Sequence, residues 1–198
     1  MKPPQTRFLS VPEMSLAAMF AAFFSISAQL KISLPFYPVP FTLQNIAIIL
    51  CGLLLPRRCA LASIILYTLI GLSGIPVFSS GGGFQYIFSP HFGYILGFIV
   101  AIALLCSFQN QYSQKRVRKI GFCFLATLSI HVLGFGYLGL LGTCVQGNPH
   151  ALETALSMFL LFFPLDIIKF VIAILIALPV EKRLHAFLVP RNSQSNNR

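Results

Sequence analysis

Six apolar runs, separated by short polar, proline-bearing or glycine-rich stretches, set the pattern of this 198-residue chain. They are Met14 to Ser33, Phe41 to Leu55, Cys59 to Ile75, Phe92 to Phe108, Gly121 to Val145 and Ala155 to Pro179. About 20 apolar residues cross a bilayer as a helix, so the pattern predicts an all-α membrane protein built as a six-transmembrane-helix bundle. Between the first two runs, Leu34 to Pro40 holds Pro35, Pro38 and Pro40 and cannot be helix interior. It reads as a stiff connection on the far side. Pro56-Arg57-Arg58 turns the chain before the third run. A glycine-rich outward loop joins helices 3 and 4, with Ser79-Ser80-Gly81-Gly82-Gly83, then Phe84-Gln85-Tyr86 and Ser89-Pro90-His91. The chain has no charged residue between Arg58 and Lys115, and so apolar a loop is expected to fold back over the bundle. At that depth irregular backbone is tolerated only against protein or a water-filled cavity.

Composition sharpens the class. Charged residues make up 9% of the chain, against about 25% in a soluble domain, and 57% are hydrophobic. That predicts one compact membrane unit over residues 14–180, with an arm at 1–13 and a basic tail at 181–198. The net charge of +10 does not point to nucleic acid, because the basic residues cluster between apolar runs. Lys2 and Arg7, Arg57 and Arg58, Lys115 to Lys119, and the tail all fall on one side of a six-helix bundle. The positive-inside rule then predicts both termini in the cytoplasm of a multi-pass cell-membrane protein. Ile26-Ser27-Ala28 has the small residues of a signal-peptide cleavage site, but five further spans follow that first long run. The five cysteines are scattered without a Cys-x-x-Cys pair, and the four histidines lack ligand spacing, so neither a metal nor another cofactor is expected.

Candidate chemistry is sparse and therefore conspicuous. Asp166, the only aspartate, and Lys169 stand alone as charges inside the sixth run. An ionisable residue at mid-membrane costs several kcal/mol on insertion scales and marks a functional site by default. Three residues apart, the two share a helix face and can pair with each other or with a ligand. A buried ion pair kept for packing is the other reading. Pro164 removes a backbone donor just before them. Lys31, near the end of the first helix, either snorkels to the interface or faces a ligand. Ala17, Ala18, Ala21 and Ala22 form small-residue ridges that admit a close helix neighbour, in a partner or in the same bundle. Gly134-Phe-Gly-Tyr-Leu-Gly139 matches a dinucleotide fingerprint only on paper, having no strand before it and no acid after it. There is no Walker A loop and no nucleophile with its base, so neither a nucleotide engine nor an enzyme is expected. The design suits ligand capture energised by partners. A proton-coupled secondary transporter of a small carboxylated metabolite is the alternative, although no internal repeat is visible.

Several segments in order carry a resemblance. Lys31-Ile-Ser-Leu-Pro-Phe-Tyr-Pro-Val-Pro-Phe-Thr-Leu-Gln44, Gly71-Leu-Ser-Gly-Ile-Pro-Val-Phe78, the triple glycine, Gly93-Tyr94-Ile-Leu-Gly97-Phe98 and Pro164-Leu-Asp166-Ile-Ile-Lys169 together resemble the BioY family. These are the biotin-specific substrate-binding (S) components of energy-coupling-factor (ECF) vitamin transporters. The resemblance spans residues 14 to 180 and implies six helices that bind biotin near the outer surface. It also implies a transmembrane coupling protein and two cytoplasmic ATPases as partners, with Ala17, Ala18, Ala21 and Ala22 as the docking ridge. The pocket it implies includes Asp166 and Lys169, which could take the ureido N–H and carbonyl groups. Gln44 adds a hydrogen-bonding partner, and Phe78, Phe84, Tyr86 and Tyr94 could enclose the thioether ring. His91 and Lys31 complete the candidate set, His91 towards the ligand carboxylate. One departure stands out: Pro90-His91-Phe92-Gly93-Tyr94 replaces the family's usual Pro-Thr-Gly-Gly-Tyr, losing a hydroxyl and a glycine.

Overall fold

The computed structural model describes residues 9–33, 39–107, 116–145 and 147–188. Lys2, Arg7, Pro35, Pro38, Lys115, Arg191 and Arg198 lie outside the described residues, as do the side chains of Arg116, Lys182 and Arg183. Among the described residues, six α-helices run in chain order: α1 Val11–Gln29, α2 Gln44–Leu54, α3 Arg57–Leu72, α4 Phe92–Ser107, α5 Arg116–Cys144 and α6 Ala151–Leu188. Two short antiparallel strands, β1 Lys31–Ile32 and β2 Phe41–Thr42, join α1 to α2, and a 3-10 turn covers Phe84–Phe88.

Three helices (α1, α5 and α6) are long and apolar enough to cross a membrane. Large leucines on α6 face outward; Leu152, Leu156, Leu160 and Leu175 are each more than 60% exposed. Water does not tolerate such a surface on a lone soluble domain. The chain is a helical membrane protein. α2 is different: its 11 residues rise only about 16 Å, and nine of them are buried, so it is wrapped on all sides. It packs on α4 and α6, while α1 packs on α3 and α5 lies between α4 and α6.

Element ends depart from the sequence pattern where local chemistry wins. α1 stops at Gln29 rather than Ser33, because Lys31 and Ile32 pair with Thr42 and Phe41 across the proline stretch. α5 begins at Arg116, taking part of the basic segment as its first turn. α6 continues through Pro179 to Leu188, so the backbone of 181–188 is helical where a loose tail is expected. The glycine-rich loop packs back onto α3. Phe78 is fully buried between Tyr67 and Tyr86, with ring centroids 5.3 and 4.5 Å away. Gly83 donates to the Gly71 carbonyl at 2.7 Å. Gly81 and Gly83 hold φ of 115° and 104°, a region open mainly to glycine.

Candidate ligand-binding site

Asp166 and Lys169 lie one turn apart on α6, both 5% exposed. Lys169 Nζ is 2.6 Å from Asp166 Oδ1 and donates to the Thr42 carbonyl, also at 2.6 Å. It stands 3.3 Å from the centre of the Phe41 ring. Pro164, within α6, has no N–H for the Leu160 carbonyl, interrupting the helix ladder just before this pair. α5 contributes His131, completely buried, with Nε2 2.8 Å from Asp166 Oδ2 and Nδ1 2.9 Å from the Thr127 carbonyl oxygen. Phe135, Phe159 and Phe163 surround the imidazole at centroid distances of 5.8, 6.0 and 5.4 Å.

Asp166 and Lys169 form one wall of a cleft of about 500 Å³, counted out to its open mouth. Such a space suits a small ring-bearing metabolite rather than a peptide. The start of α2 supplies Gln44 and Asn45 to another wall. Gln44 Nε2 donates to the Tyr67 hydroxyl at 2.8 Å. Asn45 is 6% exposed and makes no side-chain hydrogen bond among the described residues. Lining the open cleft, its amide can hydrogen-bond a ligand or water there, whereas the buried side-chain atoms without a hydrogen-bond partner among the described residues are Asp166 Oδ1 and His131 Nε2. From the loop come Ser79, Tyr86 and His91. Burial pushes the Tyr86 phenol above its ordinary pKa, keeping it a neutral hydroxyl 3.4 Å from Ser79 Oγ. His91 Nδ1 lies 2.6 Å from Ser89 Oγ, and Nε2 lies 3.3 Å from Ser80 Oγ. α4 supplies Tyr94, Ile95 and Phe98 as the apolar wall, and Phe162 of α6 closes it. Tyr94 packs edge-on to Phe135 at 5.5 Å and fits because position 134 is glycine; a Cβ there would sit 2.8 Å from its ring.

Of the eight expected ligand residues, Asp166, Lys169, Gln44, Tyr86, His91 and Tyr94 come together on this cleft. Phe84 does not: it opens the 3-10 turn with its ring 68% exposed, while Tyr86, two residues on, turns inward. Lys31 does not line it either. Its ammonium holds the Ser79 carbonyl from outside, tying the β1–β2 connection to the loop. Phe78 lies behind Tyr86 rather than on the surface. The alanine ridge divides: Ala17 and Ala21 are buried in the bundle at 3% exposure, whereas Ala18 and Ala22 face outward. The paper fingerprint is plain helix, with Gly139 beside Leu152 of α6. Sequence reasoning misses His131 and Asn45. His131 is an ionisable residue inside an apolar span, the signal that singles out Asp166, but a search for metal spacing passes over it. Asn45 has no signal beyond adjoining Gln44.

A model of the BioY family matches residues 2–186. The chain belongs to the BioY family. The "Biotin transporter BioY" of Thermotoga maritima is 34% identical over 169 residues, 84% of this chain and 94% of that one. A "Probable biotin transporter BioY" of Lysinibacillus sphaericus is 46% identical over 90 residues, 46% of this chain and 45% of that one. A solved structure, the 2.1 Å crystal structure of the S-component for biotin from an ECF-type ABC transporter, aligns with a TM-score of 0.75 and 26% identity. The alignment covers 87% of this chain and 92% of that one. In this BioY chain the unusual His91-Phe92 step has a visible accommodation. His91 is held by Ser89 and Ser80 at the cleft, and the Phe92 ring lies 6.0 Å from that of Tyr137.

Proposed function

We propose that this protein is the capture component of a biotin uptake system. It binds biotin from the outside and delivers it inward, energised by a coupling protein and two cytoplasmic ATPases. The likeness to the biotin S-component over 87% of the chain carries this reading. The cleft chemistry supports it: biotin offers two ureido N–H donors, one carbonyl acceptor, an apolar thioether ring and a carboxylate. Asp166 Oδ1 has a second lone-pair direction for a ureido N–H, and the unpartnered Asn45 amide can both donate and accept. Lys169 already donates to the Thr42 carbonyl, is ion-paired with Asp166 and stands over the Phe41 ring. The ring contact is the one a ureido carbonyl would replace. Tyr86, Tyr94 and Phe98 would cover the thioether ring, and the carboxylate would lie towards His91. Buried polar groups left unmatched by the wrong ligand make such a site selective.

In this reading all six helices cross the cell membrane with both termini inside, the shorter α2 being covered on its outer end by the loops. The outward alanines of α1, Ala18 and Ala22, form the docking face for the coupling protein. A proton-coupled carrier is the second reading, favoured by the His131–Asp166 contact; it requires pH-driven uptake into vesicles holding this chain alone. A thermal-unfolding panel of vitamins on detergent-purified protein tests the main reading. A ligand that binds only the folded state at about 100 times its Kd adds about 2.7 kcal/mol of apparent stability. Biotin should raise the unfolding temperature and thiamine and riboflavin should not; a panel without a biotin response overturns the assignment.

A further inference from the structure

The 3-10 turn Phe84–Phe88 has two unlike sides. Tyr86 is turned in and lines the cleft, whereas Phe84 and Phe88 are each more than 60% exposed and line no part of it. Other groups fasten the turn to the bundle. Gly83 donates to the Gly71 carbonyl near the end of α3, and the Tyr137 hydroxyl of α5 donates to the Ile87 carbonyl. The turn's polar groups are served from within the protein. The N–H groups of Tyr86 and Ser89 donate to the Gly83 and Tyr86 carbonyls, both at 3.0 Å. The exposed Gln85 side chain folds back to donate to the Gly82 carbonyl, also at 3.0 Å. Polar groups paired in this way are what a weakly polar surrounding demands. No charged residue lies between Arg58 and Lys115, so nothing charged flanks the two rings in sequence.

The exposed rings also continue the apolar exterior of the helices. On one side the loop presses on the end of α3: a Cβ on Gly82 would fall 2.3 Å from the Ile75 carbonyl oxygen, and Ile75 and Leu69 are both exposed. On the other side the turn is tied to α5, where Leu140, about one turn beyond Tyr137, is exposed as well. Aromatic rings set between two apolar strips make more than a scattered surface residue, and such a patch marks an interaction surface. Lipid is the occupant that the neighbouring apolar helices already call for. We propose that Phe84 and Phe88 anchor the 3-10 turn in the bilayer interface at the cleft's end of the molecule, so that lipid holds the Tyr86 wall of the cleft in place. Short amphipathic elements sit in this way, apolar side chains in the boundary between headgroups and acyl chains and polar groups turned away. Tyr86 is then braced from both sides. Phe78 backs its ring at 4.5 Å between centroids, and the lipid contact fixes the turn from outside. A second copy of the chain on the same patch is the competing occupant.

The chain contains no tryptophan, so Phe84→Trp supplies a single fluorescent reporter. The test places the purified full-length variant in phosphatidylcholine nanodiscs and adds one of two quenchers, bromine carried on the acyl chains near the headgroup or iodide in the buffer. The brominated lipid should quench the emission strongly and iodide only weakly. Iodide quenching as strong as that of the lipid puts the ring in water, and quenching by neither puts it against protein such as a second copy; either result overturns the proposal. The functional arm rests on the biotin reading for its probe. Phe84→Ser combined with Phe88→Ser should leave the unfolding temperature unchanged and cost about fivefold or more in biotin affinity in nanodiscs, because the ligand must then order the wall itself. A smaller loss means that lipid does not hold the wall, and overturns the proposal. Should the double variant not fold, the quenching of Phe84→Trp decides. A wild type that binds no biotin refutes the transport reading, while the anchor is still judged by quenching.

Discussion

Lys169 and Asp166 hold each other inside the molecule, and each is an uncompensated charge without the other. Removing one partner of such a pair destabilises by about 3–5 kcal/mol, because the survivor is left buried. Asp166→Asn and Lys169→Met should therefore lower the unfolding temperature and lose biotin affinity by at least 100-fold, while the protein still inserts. Labelled-biotin binding by the purified variants checks this. Asn45→Leu separates ligand contact from structure. Its amide has no partner among the described residues, so the substitution should leave unfolding nearly unchanged and cost about tenfold or more in affinity, the range of one hydrogen bond to a buried group. An affinity within twofold of wild type would remove Asn45 from the site. Asp166 and Lys169 were legible because a charge stands out in a 25-residue apolar stretch. His131 stood out equally, but its meaning depends on α5 facing α6, which no local pattern encodes. Phe84 and Lys31 misled for a related reason: residue type says what a side chain can do, and the turn decides where it points.

Helix α1 presents two unlike faces built from the same residue. Ala17 and Ala21 lie against the bundle, and Ala18 and Ala22 look outward. A large side chain at 21 must force α1 away from α3, whereas one at 22 meets only lipid or a partner. Ala21→Trp should lower the unfolding temperature of the isolated protein. Ala22→Trp should leave unfolding and biotin binding intact and sharply reduce co-purification of the coupling protein. Equal behaviour of the two variants would contradict this division. Between α4 and α5, Gly134→Val should press on the Tyr94 ring, where an added Cβ already falls 2.8 Å away. Reduced affinity with a lower unfolding temperature is the expected outcome. The helices themselves were legible from apolar runs, because burial and lipid exposure both demand apolar residues. Their ends were not. The β1–β2 pairing that stops α1 joins residues on opposite sides of a proline-rich connection, and α6 passes through Pro179 where the local pattern places its end.

At the scale of the molecule, an apolar exterior encloses a polar cleft, and the basic residues gather at one end of the sequence's alternating loops. The apolar exterior calls for a membrane, and the placing of the basic residues along the sequence predicts, by the positive-inside rule, an orientation with both termini inside. In a Cys144→Ala background, which removes the exposed cysteine, Ser80→Cys should react with a membrane-impermeant thiol reagent on whole cells. Arg118→Cys should react only after lysis; the reverse pattern would invert the topology. The binding predictions rest on one proposed event, the capture of biotin by this chain before any ATPase acts. The most direct measurement is equilibrium binding of labelled biotin to the purified chain without partners, for the wild type and for Asp166→Asn. The account predicts saturable binding at one site in the wild type and none at the same concentrations in the variant. Absent binding in the wild type, or equal binding in both, would contradict it.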